Sequence, residues 1–290
     1  MFSYAVFSGI TLGGMYALVA MGLTLQYGVS RIMNLAYGEL VIVASFIAFV
    51  FMTALGINPI VGLLIIIPAS FALNWAIYRI LLTPLVARAK NRGMLEVDSI
   101  LATFGLLFIV QGVLLVWFGG SYYSYDFLNT AVDVFGAAIA ANRLVALGFA
   151  VVIGLGFYLI LTRTRIGTAL RAVAVDPTSA RLVAIDVNLA SCFAFALGGA
   201  IAAVGGVLVS MFLTFSTSMG VVFTMKALIV VIMGGVGNLL GALIAGLILG
   251  IAESLVATYI DPGLTIAVTY VIFLLVLLIR PSGLFGRAAS

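Results

Sequence analysis

The sequence predicts an all-α, polytopic membrane protein, and three observations carry that expectation. Hydrophobic residues make up 65% of the 290 and charged residues only 8%, at a mean hydropathy of +1.36, whereas a soluble domain carries about 25% charge and about 45–50% apolar residues. Runs such as 99–118 and 264–279 stay apolar for close to the ~20 residues with which a helix crosses a ~30 Å hydrocarbon layer. The runs are also continuous, where a strand of a membrane barrel would alternate apolar and polar over about ten residues.

The opening stretch MFSYAVFSGITLGGMYALVAMGLTLQYG has no basic leader and no small-residue cleavage site, so 2–26 reads as a retained first span. Further spans are expected at 35–55, 60–82, 98–118, 141–162, 188–214, 239–258 and 263–280, about eight in all. A shorter apolar piece near 223–236 reads as a short or broken membrane helix. The chain, 1–290, is expected to be one transmembrane domain with a cytoplasmic loop at 163–187.

Orientation follows from basic residues, which mark the cytoplasmic side when they sit in short loops near span ends. Arg79, Arg88, Lys90 and Arg92 follow the third span, Arg163, Arg165, Arg171 and Arg181 the fifth, and Arg280 and Arg287 the last. In contrast, 56–59 has no charge and 119–140 has only Asp126 and Asp133. The N-terminus is therefore placed outside, and 83–97, 163–187 and the C-terminus inside. Parity then requires 223–236 to cross or nearly cross.

Composition also narrows the chemistry. With Cys192 alone there is no internal disulfide, and with no histidine a transition-metal site lacks its usual ligands. A net charge of +4, thinly spread, does not suit nucleic acid. The sequence has no G-x-x-x-x-G-K-[ST] phosphate loop and no Ser/His/Asp set. No catalytic residue, metal or cofactor is expected, and any ATP must be hydrolysed by another polypeptide.

What charge there is concentrates in TRTRIGTALRAVAVDPTSARLVAID, residues 162–186. The segment IGTALRAVAV suits a short helix, and Asp176 followed by Pro177 suits the N-cap and first position of a second one. Its arginines serve either to dock another protein or merely to enforce topology.

The stretch resembles the cytoplasmic coupling loop of permease subunits in ATP-binding-cassette importers of the branched-chain amino-acid group, whose pattern is G-x-x-x-R-A-x-x-x-D-x-x-x-A. Gly167, Arg171, Ala172, Asp176 and Ala180 match it. Three more stretches fall in the family's order: IMNLAYGELVIVASF (32–46) resembles its I-N-x-A-H-G-E motif, VIMGGVGNLLGALIAGLILG (231–250) its glycine-rich segment, and RPSGLFG (280–286) its ending. LATFGLLFIVQG (101–112) matches less well. The length suits the smaller, H-type subunit. Tyr37 stands where the family has histidine.

The resemblance implies a non-catalytic permease for branched-chain or other small amino acids, with urea, amides or aromatic acids as related cargoes. It implies a second homologous permease, two cytosolic ATP-binding subunits, a periplasmic solute-binding protein and a bacterial inner membrane. It implies that the loop seats in a groove of the ATPase, with Arg171, Asp176 and Arg181 making polar contacts and Ala172 and Ala180 allowing close approach. An ion-coupled carrier and a scaffold without transport are the competing readings.

Ionisable residues within spans are costly and point to function. Glu39, beside Asn34, Tyr37 and Gly38 at a suspected helix break, either lines the translocation path or fixes packing, for instance by pairing with Arg31. Glu253 and Lys226 each line a cavity, pair with a charge on a partner subunit, or snorkel to an interface; snorkelling suits Lys226. Gly237 with Gly241, and Gly246 with Gly250, have the G-x-x-x-G spacing that brings helix backbones together, with a subunit interface as one place for it.

Overall fold

The computed structural model describes residues 1–89, 91–134 and 137–286. Lys90 and Arg287, two of the expected inside-facing cations, lie outside the described residues, as does the side chain of Arg92. Among the described residues, 8 helices are long and apolar enough to cross a membrane.

Helix α1 (Phe2–Ser30) ends where Arg31 adopts a left-handed conformation, φ 56°, with its N–H still on the Tyr27 carbonyl. Residues 31–36 run on without helix before α2 (Tyr37–Ala54) begins. Helix α3 (Pro59–Ile77) is capped by Asn58, whose side chain accepts from the Ile60 N–H at 2.9 Å. A π-turn at Tyr78–Leu82 leads into α4 (Thr83–Arg88), which has a proline in its first turn. Pro84 brings no N–H and crowds the carbonyl four residues back, and the wider turn just before it relieves both problems.

Asn91 caps α5 (Arg92–Phe118) through the Met94 N–H. An antiparallel hairpin follows, β1 (Ala131–Val134) with β2 (Ala137–Ala140), which periodicity had not announced. After α6 (Ala141–Arg163) come two short helices, α7 (Arg165–Val175) and α8 (Pro177–Leu182), the latter capped by Asp176 as its sequence suggested. The remaining elements are α9 (Val187–Ser210), α10 (Gly220–Gly234), α11 (Leu239–Tyr259), a 3-10 turn (Pro262–Leu264) and α12 (Thr265–Ile279).

Helices α1 and α9 form the buried centre, with 72% and 89% of their most apolar windows buried, while α12 at 6% lies on the periphery. Helix α11 packs on α1 almost backbone to backbone. A Cβ on Gly250 would sit 2.2 Å from the Gly13 nitrogen, and one on Gly246 2.6 Å from the Ala17 nitrogen. This small-residue face therefore lies inside the subunit, not at the subunit interface that the spacing also allowed. Gly241 presses on the Gly234 carbonyl.

Gly237 departs from the expected packing role. It lies in the turn before α11 at φ 82° with no atom near its missing Cβ, so its conformation, not helix contact, requires glycine.

The bundle has two ends. At one lie the start of α1, residues 119–134 and 137–142, the end of α9 and the end of α11: Arg143 reaches Ser8 and the Ser254 hydroxyl donates to the Ala5 carbonyl. At the other lie Arg31, α7, α8 and 280–286: Arg31 reaches α7 and Asn238 reaches Phe285, while 32–36 run back along α1 toward the start of α2. Helix α10 begins beside Gly38 and finishes at the α7 end, beside Gly241. Its 15 residues span only about 22 Å. The irregular stretch 211–219, with Phe215, Ser216 and Thr217 buried, makes up the remainder and keeps 280–286 at the α7 end, the near-crossing that parity demanded.

Candidate functional site

Three places could carry function: the break before α2, a cleft at the N-terminal end, and the α7–α8 platform with the cavity above it.

The break is closed by side chains. Met33 N–H donates to Ser99 Oγ at 3.3 Å, Leu35 N–H to Thr103 Oγ1 at 3.1 Å and Ala36 N–H to Asn34 Oδ1 at 3.1 Å. Irregular backbone survives at membrane depth only with such partners. Thr224 of α10 adds a bridge: its hydroxyl accepts from the Gly38 N–H at 2.8 Å and lies 3.1 Å from the Leu35 carbonyl. Asn34 also donates to Gln26, whose own amide donates to the Phe195 carbonyl of α9 at 2.7 Å. Tyr37, fully buried, donates its phenol to the Val19 carbonyl at 2.7 Å and lies 3.2 Å from that of Gly198, tying α1 to α9.

Glu39 occupies the first turn of α2 and is completely buried. Neither carboxylate oxygen has a hydrogen-bond partner among the described residues. The expected pairing with Arg31 is absent, because Arg31 instead donates to the Ala174 carbonyl of α7 at 3.1 Å. The carboxyl group lies against Gly220, the first residue of α10, where a Cβ would come within 2.2 Å of Oε1. Two helix N-termini thus face this one acid, and each favours negative charge. Asn34, Tyr37, Gly38 and Glu39 are all packed, and none borders the cavities described below.

The cleft lies between α1, α10, α11 and the start of α12, with a volume of about 440 Å³. Tyr4, Ser8, Leu12 and Tyr16, each four residues apart, run down its α1 wall. At its floor Lys226 Nζ lies 2.8 Å from Glu253 Oε2, 2.7 Å from the Tyr16 hydroxyl and 4.6 Å from the centre of that ring. Tyr16 donates to the same carboxylate oxygen at 2.9 Å, and Thr269 donates to the other.

Lys226 therefore does not snorkel away, and Glu253 takes its counter-charge from its own chain, not from a partner. The pair is the ion pair found among the described residues, with side chains 15% and 4% exposed. At the mouth, Arg143 donates to Ser8 at 2.6 Å and to Tyr4 at 3.4 Å and stands 5.7 Å from the Phe212 ring centre. Sequence reasoning passed over Arg143 because it lies inside an otherwise apolar span. Near the mouth, Tyr125 is bonded to Ser210, and burial pushes its phenol up to about 12, so it stays neutral.

At the other end, α7 folds back tightly on α6: a Cβ on Gly167 would lie 2.2 Å from the Leu161 carbonyl oxygen. Arg171 reinforces this corner by donating to the Thr162 carbonyl at 3.2 Å. Asp176 accepts from the Thr178 N–H at 2.9 Å and from Ser179, as a cap does. Ala180 is buried within the chain and Ala172 half-buried against its core, so neither offers the open face to a partner that the loop pattern suggested. Arg181 does face outward.

At the ends of α7 and α8 stand three exposed apolar residues that sequence reasoning missed, Val175, Leu182 and Val183, at 77%, 85% and 69%. The readable signal was their position at the ends of two short helices, where a cap exposes whatever adjoins it. Above the platform a cavity of about 800 Å³ is bordered by Arg31, Arg171, Tyr158 and Asn238.

Comparison with known proteins agrees with this architecture. Residues 5–279 match the family model described as "Branched-chain amino acid transport system / permease component". The chain is 30% identical to the high-affinity branched-chain amino acid transport system permease protein LivH of Escherichia coli K12, over 99% of this chain and 96% of that one. It is 30% identical to BraD, the corresponding permease protein of Pseudomonas aeruginosa, over 97% and 94%. Among solved structures, PsaBC from Streptococcus pneumoniae in complex with Fab superposes with a TM-score of 0.53 at 14% identity, covering 98% of this chain and 93% of that one, a likeness of fold. The chain is a multi-pass membrane protein and belongs to the branched-chain amino acid transport permease family.

Proposed function

We propose that the chain is the membrane-spanning subunit of an ATP-driven importer for branched-chain or related small amino acids in a bacterial inner membrane. It works with a second permease, two cytosolic ATPases and a periplasmic binding protein. The family match over 5–279 supports the cargo, and the α7–α8 platform supports the motor. The α7 end faces the cytoplasm, and the N-terminal end receives solute from the binding protein.

The single observation that carries the coupling is the exposure of Val175, Leu182 and Val183 at the ends of α7 and α8, with Leu182 next in sequence to Arg181. Apolar side chains left this exposed on short helices outside the membrane suit burial against a partner. In this reading Arg181 contributes a polar contact to the ATPase, while Gly167, Arg171, Ala172, Asp176 and Ala180 shape the platform that presents it. Movement of α7 reaches the membrane through the Arg31 bond to Ala174 and arrives at the break where Asn34, Tyr37, Gly38 and Glu39 join α1 to α2. Glu253 borders the solute route and Glu39 sits in its hinge.

Co-purification tests this. Leu182→Asp and Arg181→Glu, expressed with both ATPases, are expected to insert normally yet lose the ATPases and ATP-dependent uptake in proteoliposomes. Retention of the ATPases by both variants would refute the docking assignment.

A further inference from the structure

The N-terminal cleft presents a physical problem of its own. A membrane charge that is not wholly packed must meet water or a polar group, since hydrocarbon offers neither. Lys226 is 15% exposed at the cleft floor, and Arg143 holds only hydroxyls and aromatic faces at the mouth, with no carboxylate among the described residues. The cleft therefore needs water or a polar solute from Tyr4 down to Tyr16, a depth of about 18 Å along α1.

Its chemistry is selective. Two cations, Arg143 and Lys226, face one carboxylate, Glu253, so the cleft has an unmatched positive charge near its mouth. Glu253 already accepts from Lys226, Tyr16 and Thr269, which leaves Arg143 as the cation with open donors. A guanidinium holds a carboxylate through two parallel bonds. Much of the remaining lining is apolar, with Leu12, Leu213, Val222 and Phe223, and the volume of about 440 Å³ falls in the ~300–1,000 Å³ range of small-molecule sites.

We infer that this cleft is a transit site for the amino acid on its way through the subunit, in which Arg143 binds the α-carboxylate and the apolar lining receives the aliphatic side chain. The inference rests on the reading of the chain as an amino-acid importer subunit. The Lys226–Glu253 pair is the floor at which the solute stops until the helices move. Arg143 is thereby a specificity residue, which discriminates acids from their amides.

The assembled importer in right-side-out vesicles provides the test. Cys192 is replaced by alanine and Leu12→Cys introduced as a reporter. A membrane-impermeant thiol reagent is expected to label it from outside, and excess leucine to slow labelling about threefold, while leucinamide, which lacks the carboxylate, does not. Arg143→Gln is expected to abolish the protection by leucine, and Arg143→Lys to keep part of it.

Labelling by a lipid-soluble maleimide alone would mean that the cleft faces lipid and would overturn the inference. So would equal protection by leucine and leucinamide, or unchanged protection in Arg143→Gln. Protection needs no ATP turnover, so an assembly that fails to accumulate leucine would refute the importer reading while labelling still decides the cleft.

Discussion

Two glutamates in the membrane region meet opposite treatment. Glu253 accepts from Lys226, Tyr16 and Thr269 and borders an open cleft. Glu39 has no hydrogen-bond partner among the described residues and is packed against the backbone of Gly220. The first is a charge held in place by its neighbours, and the second is held only by helix ends and by the absence of two Cβ atoms, at Gly38 and Gly220. Sequence position alone made both look like residues on a solute route; the partners separate a site that can stay charged and wet from a joint that must stay dry to remain closed.

That contrast breaks most easily at the ion pair. Lys226→Ala strands Glu253 and is expected to cost about 3–5 kcal/mol, read as a large fall in thermal stability of the detergent-solubilised chain. Lys226→Met combined with Glu253→Leu is expected to recover most of that loss, since no charge is left without a partner. If the double variant were as unstable as the single one, packing and not charge would hold the floor.

The joint answers to steric change. Gly38→Ala places a Cβ 2.0 Å from the Gly220 carbonyl oxygen and is expected to cost about 1–3 kcal/mol through overpacking. Glu39→Gln is expected to leave assembly and stability within about 1 kcal/mol of the parent, because no hydrogen bond is lost, while changing the rate of uptake. Unchanged uptake kinetics would make Glu39 a packing residue only. A comparably small effect on stability is expected from Tyr37→Phe, which removes the bond to the Val19 carbonyl at about 0.5–1.5 kcal/mol.

The spans were legible because hydropathy reports burial in lipid and in protein alike. Most expected boundaries fall within a few residues of a helix end, although α5 starts at Arg92, well before the expected 98, and Asp176–Pro177 marked the start of α8. The same indifference hides which face meets what. The 246/250 glycines announced a close approach but not that α1 of the same chain makes it. Gly237 matched a spacing while serving a turn. Lys226 and Glu253 are 27 residues apart on different helices, so their pairing depends on how α10 returns, which no local pattern records. Arg143 is one cation in a span whose apolar length dominates any window.

Thr224 has one proton, and two carbonyls compete for it: Leu35 at 3.1 Å, in the break before α2, and Gly220 at 3.2 Å, at the head of its own helix. Rotation about a single C–O bond passes that proton between the two while the oxygen continues to accept from Gly38. The starts of α2 and α10 are thus joined through one hydroxyl that keeps an attachment to each whichever carbonyl holds its proton, and valine at this position would keep the shape and lose the bonds.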